Sequence, residues 1–121
     1  MKNSNQREKK MPTPKVFPLE GTVEINGAQK PMQIMMLNQR GLVAKVNQSV
    51  LYVGEHYQVQ FQLPISRFPV ISKVRVMKTY DKAVDPKVKA IDRMAEFHFE
   101  DIAKEYMNRI TAFLTEFGQE K

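Results

Sequence analysis

Five glycines, two histidines and no cysteine are the stock from which this chain could build a reactive site. Without cysteine there is no thiolate nucleophile, no thiolate metal ligand and no disulfide. His56 and His98 lie far apart and in no His-x-x-x-His spacing, so neither reads as a metal ligand. His98, between Phe97 and Phe99, reads as a solvent-facing strand residue; His56 opens a strand beside Glu55. No Gly-x-Ser-x-Gly elbow and no Gly-x-x-x-x-Gly-Lys loop occurs, and the glycines are scattered singly, so backbone amides alone cannot cradle a phosphate. The adjacent carboxylates Glu100 and Asp101 fit charge placed at a helix N-terminus better than acid–base chemistry. Binding, not catalysis, is the expected work of this chain. Its cations are unevenly spread: Lys2, Arg7, Lys9, Lys10 and Lys15 against Glu8 leave +4 on residues 1–15, and +2 on the remaining 106. A basic arm of this kind suits an anionic partner, or serves to keep the chain soluble.

The elements that must position these residues follow from periodicity. Residues 1–15, with Pro12 and Pro14, read as a flexible basic arm ahead of a domain spanning 16–121. Thr22–Ile25 runs into Asn26-Gly27, the strongest short hairpin signal because both types tolerate positive φ. The return strand is expected at Met32–Leu37, a break at 38–41, a strand at Leu42–Val46 and another break at 47–49. From His56 to Leu63, Tyr57, Val59, Phe61 and Leu63 alternate with Gln58, Gln60 and Gln62, one buried face and one wet. Pro69–Tyr80 is expected to be a strand in which Val70, Val74 and Val76 share a face, while Lys73, Arg75 and Lys78 do not all share the other. Residues 81–92, rich in Lys and Asp, read as an exposed loop. Arg93–Glu100 is a strand with Ala95, Phe97 and Phe99 inward. Then the period changes: Ile102, Tyr106, Ile110, Phe113, Leu114 and Phe117 form one helical stripe, over about 101–118, with Asp101 as N-cap and Gly118 as the terminating glycine. Met32, Met35 and Met36 cluster on one strand, to fill the core or form an adaptable contact patch. The fold class is mainly β: a small antiparallel six-stranded barrel of split-barrel type closed by one C-terminal α-helix.

Several segments, in order, resemble the PilZ family, bacterial cyclic-di-GMP receptors. Ile34–Val43 resembles the signature Asp-x-Ser-x-x-Gly followed by an apolar strand. Val53-Gly54-Glu55 resembles the family's approach to its next strand, which Pro64 ends. Val74-Arg75-Val76 and Ala95-Glu96-Phe97-His98-Phe99 resemble two further strands, and Arg109-Ile110 with Phe113-Leu114 the closing helix. The resemblance covers roughly residues 16–118 and rests on order and spacing more than on any one motif.

In the family, the resemblance implies, an Arg-x-x-x-Arg switch grips the phosphates and stacks on guanine, and the Asp-x-Ser-x-x-Gly turn meets the guanine edges. Here Gly41 keeps its place, but Asn38 stands at the serine position and Met36 at the aspartate position. No two residues four apart in the arm are both basic. The expectation is therefore a non-enzymatic signalling or adaptor domain of the cyclic-di-GMP network, acting mainly through contacts with a bacterial signalling or motility protein. The alternative is a true receptor that holds cyclic-di-GMP with Arg7, Lys9, Lys10 and Lys15 folded over Asn38, Arg40 and Gly41. A weak nucleic-acid-binding barrel ranks last, because glutamines rather than aromatics mark the wet face of the clearest strand. No metal or resident cofactor is expected. No apolar run approaches the roughly 18 residues of a membrane span, and no secretory signal is visible, so a cytoplasmic location is expected.

Overall fold

A computed structural model describes residues 16–85, 87 and 90–117. The arm at 1–15, with Arg7, Lys9, Lys10 and Lys15, and the helix-ending Gly118 lie outside the described residues. Six antiparallel strands, β1 (Leu19–Ile25), β2 (Ala28–Leu37), β3 (Gly41–Lys45), β4 (His56–Phe61), β5 (Val70–Asp85) and β6 (Ala90–Glu100), are followed by one helix, α1 (Lys104–Phe117). The strands close into a barrel in the order β1-β2-β3-β6-β5-β4. The expected barrel with one closing helix is thus the observed architecture.

The β1–β2 hairpin forms as its turn dictates. Asn26 (φ 51°) and Gly27 (φ 82°) both take the left-handed conformation, which matches the twist of the flanking strands, and Ile25 pairs with Ala28. Because that turn fixes register at once, β2 begins at Ala28 rather than at the expected Met32. Pro31 is tolerated inside β2 because β3 pairs with β2 only from Gln33 onward. On β4 the predicted alternation holds: Val59, Phe61 and, just beyond the strand, Leu63 are buried, while Gln58, Gln60 and Gln62 face solvent. Val23, Met32, Ile34, Ala44, Val74, Val76 and Phe97 complete the interior from the other strands.

Two expectations about β5 and β6 need correction. The segment at 81–92 is mostly strand, not loop: β5 runs to Asp85 and β6 begins at Ala90, paired as Asp81 with Arg93 and Lys82 with Asp92. This ribbon reaches beyond the barrel, where neither face has a core to cover. Its residues carry no alternating apolar pattern, and period-two reasoning cannot detect it. Lys73, Arg75 and Lys78 do share one face. The register shifts between Val76 and Lys78, so Met77 is an extra residue that resets the alternation.

Asn47 pins the last turn of β3 to β6. Its Nδ2 donates to Asp92 Oδ1 at 2.9 Å, and its Oδ1 accepts the Arg93 N–H at 2.6 Å. That hydrogen bond, helped by the Lys45 ammonium 3.5 Å from the carboxylate, holds the Asp92 carboxyl below its ordinary 3.8. A depressed carboxyl stabilises the fold above its unfolded pKa and ceases to do so as pH falls through its lower folded value. In Asn47→Ala the Asp92 pKa should rise toward 3.8; side-chain carbonyl NMR across pH 2–5 measures it, and an unmoved titration would assign the shift to Lys45 instead.

The helix buries Ile110 and Phe113 completely, with Tyr106, Met107, Leu114 and Phe117 packed partly against the same core. The Phe113 ring meets Phe17 edge-on at 6.0 Å and Phe117 at 5.5 Å. Asp101 is not the N-cap. It takes φ 52°, and the helix starts three residues later, where the Ala103 carbonyl accepts the N–H groups of Tyr106 and Met107. The chain must swing sharply from the end of β6 onto the barrel, and aspartate is one of the few side chains that tolerates the left-handed bend. Arg109 fastens the helix to the β4–β5 connection: its guanidinium lies 5.2 Å from the Tyr106 ring and 5.8 Å from the Phe68 ring, donates to the Pro69 carbonyl and pairs with Glu105 at 3.2 Å.

Candidate functional site

The turn joining β2 to β3 is built around Asn38. Its side-chain Oδ1 accepts the N–H of Arg40 at 2.8 Å and of Gly41 at 3.0 Å, while its own N–H donates to the Gly41 carbonyl at 2.9 Å. Asparagine suits this job because its short amide closes on the backbone two and three residues ahead. The Arg40 carbonyl accepts the Phe99 N–H at 2.9 Å, which locks the turn to β6. Gln39 Nε2 donates to Thr111 Oγ1 at 3.0 Å, which ties the same turn to α1.

Gly41 is needed for space. A Cβ placed there would stand 1.8 Å from the Phe97 carbonyl oxygen, so β3 and β6 approach closely only because this position carries no side chain. Gly41 pairs with His98, and the row continues across the outer barrel wall from His98 to Arg75 to His56.

Above this turn lies an open groove of about 320 Å³, lined among others by Met36, Asn38, Arg40, Tyr80, Glu96 and His98. Arg40 is exposed, and no ion pair engages it among the described residues. Met36 is 53% exposed, whereas Met32 is buried, so only part of the methionine cluster fills the core. Met35 is the extra residue of a β2 bulge, between Ile34 paired with Ala44 and Met36 paired with Val43. His98 is half-buried on the groove wall rather than simply solvent-facing, and His56 Nε2 lies 3.0 Å from Glu100 Oε1.

The structure brings Asn38, Arg40 and Gly41 to one groove, and it gives Asn38 and Gly41 internal work: a turn cap and a strand contact. It adds Tyr80, Glu96 and His98, which come from β5 and β6 more than 35 positions away in the chain. Only strand pairing brings them to the turn, and no local signal marks them. Among the described residues no group of three or more His, Asp and Glu could hold a metal ion, and no helix is long and apolar enough to cross a membrane.

No family model and no curated protein matches the sequence. Solved structures do match in three dimensions. The PilZ domain of YcgR from Escherichia coli, solved with c-di-GMP, superposes with a TM-score of 0.68 at 10% identity, over 83% of this chain and 81% of that one. The inhibitor of motility MotI/DgrA from Bacillus subtilis superposes with a TM-score of 0.66 at 13% identity, over 80% of this chain and 45% of that one. At such identities the likeness is one of fold: this chain has a PilZ-like fold.

Proposed function

We propose that this chain is a non-enzymatic PilZ-like signalling domain of the cyclic-di-GMP network, working in the cytoplasm mainly through contacts with other proteins. The observation that carries this reading is the state of the β2–β3 turn. Asn38 Oδ1 is consumed by two N–H groups of its own turn, and Met36 offers a thioether in place of a carboxylate. No side-chain acceptor at 36 or 38 is left for a guanine N–H. The charge-assisted hydrogen bond lost at 36 removes about 1.5–3 kcal/mol of binding and the neutral one at 38 about 0.5–1.5 kcal/mol, which together weaken affinity by about one to three orders of magnitude. The fold neighbours fit the network: one was solved with c-di-GMP and the other is named an inhibitor of motility.

A second reading draws on Arg40 and Glu96, which line the same groove and offer a guanidinium for phosphate and a carboxylate for a guanine edge. In it, the basic arm with Arg7, Lys9, Lys10 and Lys15 completes the grip on cyclic-di-GMP. Calorimetric titration of the full chain with cyclic-di-GMP separates the two. We expect no saturable binding below the micromolar range. Sub-micromolar binding that Arg40→Glu abolishes would establish the receptor reading and end the first.

A further inference from the structure

Barrel closure leaves overhangs where neighbouring strands differ in length. One is on β2, whose residues 28–32 lack a β3 partner; Pro31 sits within it and blocks ladder pairing there. The other is on β5. β4 pairs with β5 only from Val70 to Arg75, and Val76 closes that side through Gly54 and Glu55. From Met77 to Asp85, β5 holds β6 on one side and, among the described residues, no backbone partner on the other. No proline interrupts it. An open edge of this length presents unpaired N–H and C=O groups ready to template another strand.

The outer face beside that edge is cationic. The bulge at Met77 brings Lys73, Arg75, Lys78, Tyr80 and Lys82 into one exposed column. Among the described residues none of Lys73, Arg75, Lys78 and Lys82 forms an ion pair, and Lys78 Nζ rests 5.3 Å from the centre of the Tyr80 ring. Two of the three carboxylates bordering the column on β6 are engaged elsewhere, Asp92 by Lys45 and Asn47, and Glu100 by His56. Glu96 stands opposite Lys78, and Asp92, opposite Lys82, also feels the Lys82 charge. At the head of the edge, just before Gly54, Tyr52 and Val53 are 63% and 61% exposed.

We propose that the open edge of β5, from Met77 to Val84, takes up an acidic, extended segment of a partner protein as an added strand. Its main chain pairs with β5, and its carboxylates lie opposite Lys78 and Lys82. The proposal rests on the protein-contact reading above and names the surface and the class of partner. A second copy of this chain fits poorly, since edge-to-edge pairing sets one lysine column against another and like charges placed opposite are destabilising. Single-stranded nucleic acid also fits poorly, since it needs a row of stacking rings and the column holds only Tyr80.

The test is an NMR titration of the full chain with a short peptide that alternates Glu with Val and Thr. Controls are the same peptide N-methylated on alternate main-chain nitrogens, its lysine counterpart, and oligothymidylate. The expected result is saturable shifts and slowed hydrogen exchange centred on the amides of 77–84. Affinity should fall at least tenfold for the N-methylated peptide and for the Lys78→Glu/Lys82→Glu variant. The proposal is overturned by no saturable shift up to about 1 mM peptide, by shifts centred elsewhere, or by equal binding of the N-methylated or lysine peptide. Tighter binding of oligothymidylate, or self-association through this edge, also overturns it. The two readings fail separately: tight cyclic-di-GMP binding with peptide still seated on β5 defeats only the protein-contact reading, and the reverse result defeats only the added strand.

Discussion

Gly41→Ala is expected to destabilise the domain by at least about 3 kcal/mol, among the larger effects a single methyl can have. The added carbon would sit 1.8 Å from the Phe97 carbonyl oxygen and 2.9 Å from His98 Cα. Both obstacles are backbone, so no side chain can swing aside, and the β3–β6 ladder from Gly41–His98 to Lys45–Met94 has to separate. Gly27→Ala provides the comparison. Nothing lies within 4 Å of a Cβ there, and its cost is the left-handed backbone alone, about 1–2 kcal/mol. Equilibrium urea unfolding of the two variants decides the matter. A smaller loss at Gly41 than at Gly27 would mean that the strand contact is not what demands glycine.

Phe113→Ala should cost about 3–5 kcal/mol, the range for emptying a fully buried aromatic site. Its ring is completely buried between Phe17 and Phe117 and belongs to the same cluster as Phe61, Val74 and Phe97 from the barrel. The helix is short and begins at an alanine cap, so it has little stability of its own and depends on this docking. Thr115→Ala, on the exposed side of the same helix, should stay within about 0.5 kcal/mol. If both substitutions cost the same small amount, the helix does not seal the core.

Much of the candidate site was within reach of the sequence, because the β2–β3 turn is local. Asn38, Arg40 and Gly41 are within four positions of one another, and the polar run Asn38-Gln39-Arg40 ending at Gly41 breaks two apolar segments, which reads as a turn. The wall of the groove was not legible. Tyr80, Glu96 and His98 reach the turn through the β3–β6 and β5–β6 ladders, and no feature near any of them in the chain says which strand will lie beside which. Asp101 shows the same limit at a helix end. Its type fits an N-cap, yet the path from β6 onto the barrel puts it in a left-handed bend.

The hairpin at Asn26-Gly27, the alternation along β4 and the aromatic stripe of α1 are properties of neighbouring residues, set by allowed φ and by side-chain period, so the amino-acid order alone determined them. Only the folded chain decided that Met77 is a bulge, that Lys73, Arg75, Lys78 and Lys82 form one column, and that β5 outruns β4 and keeps an open edge. Each of those depends on how many residues the partner strand sets opposite, a relation between distant segments that no local pattern encodes.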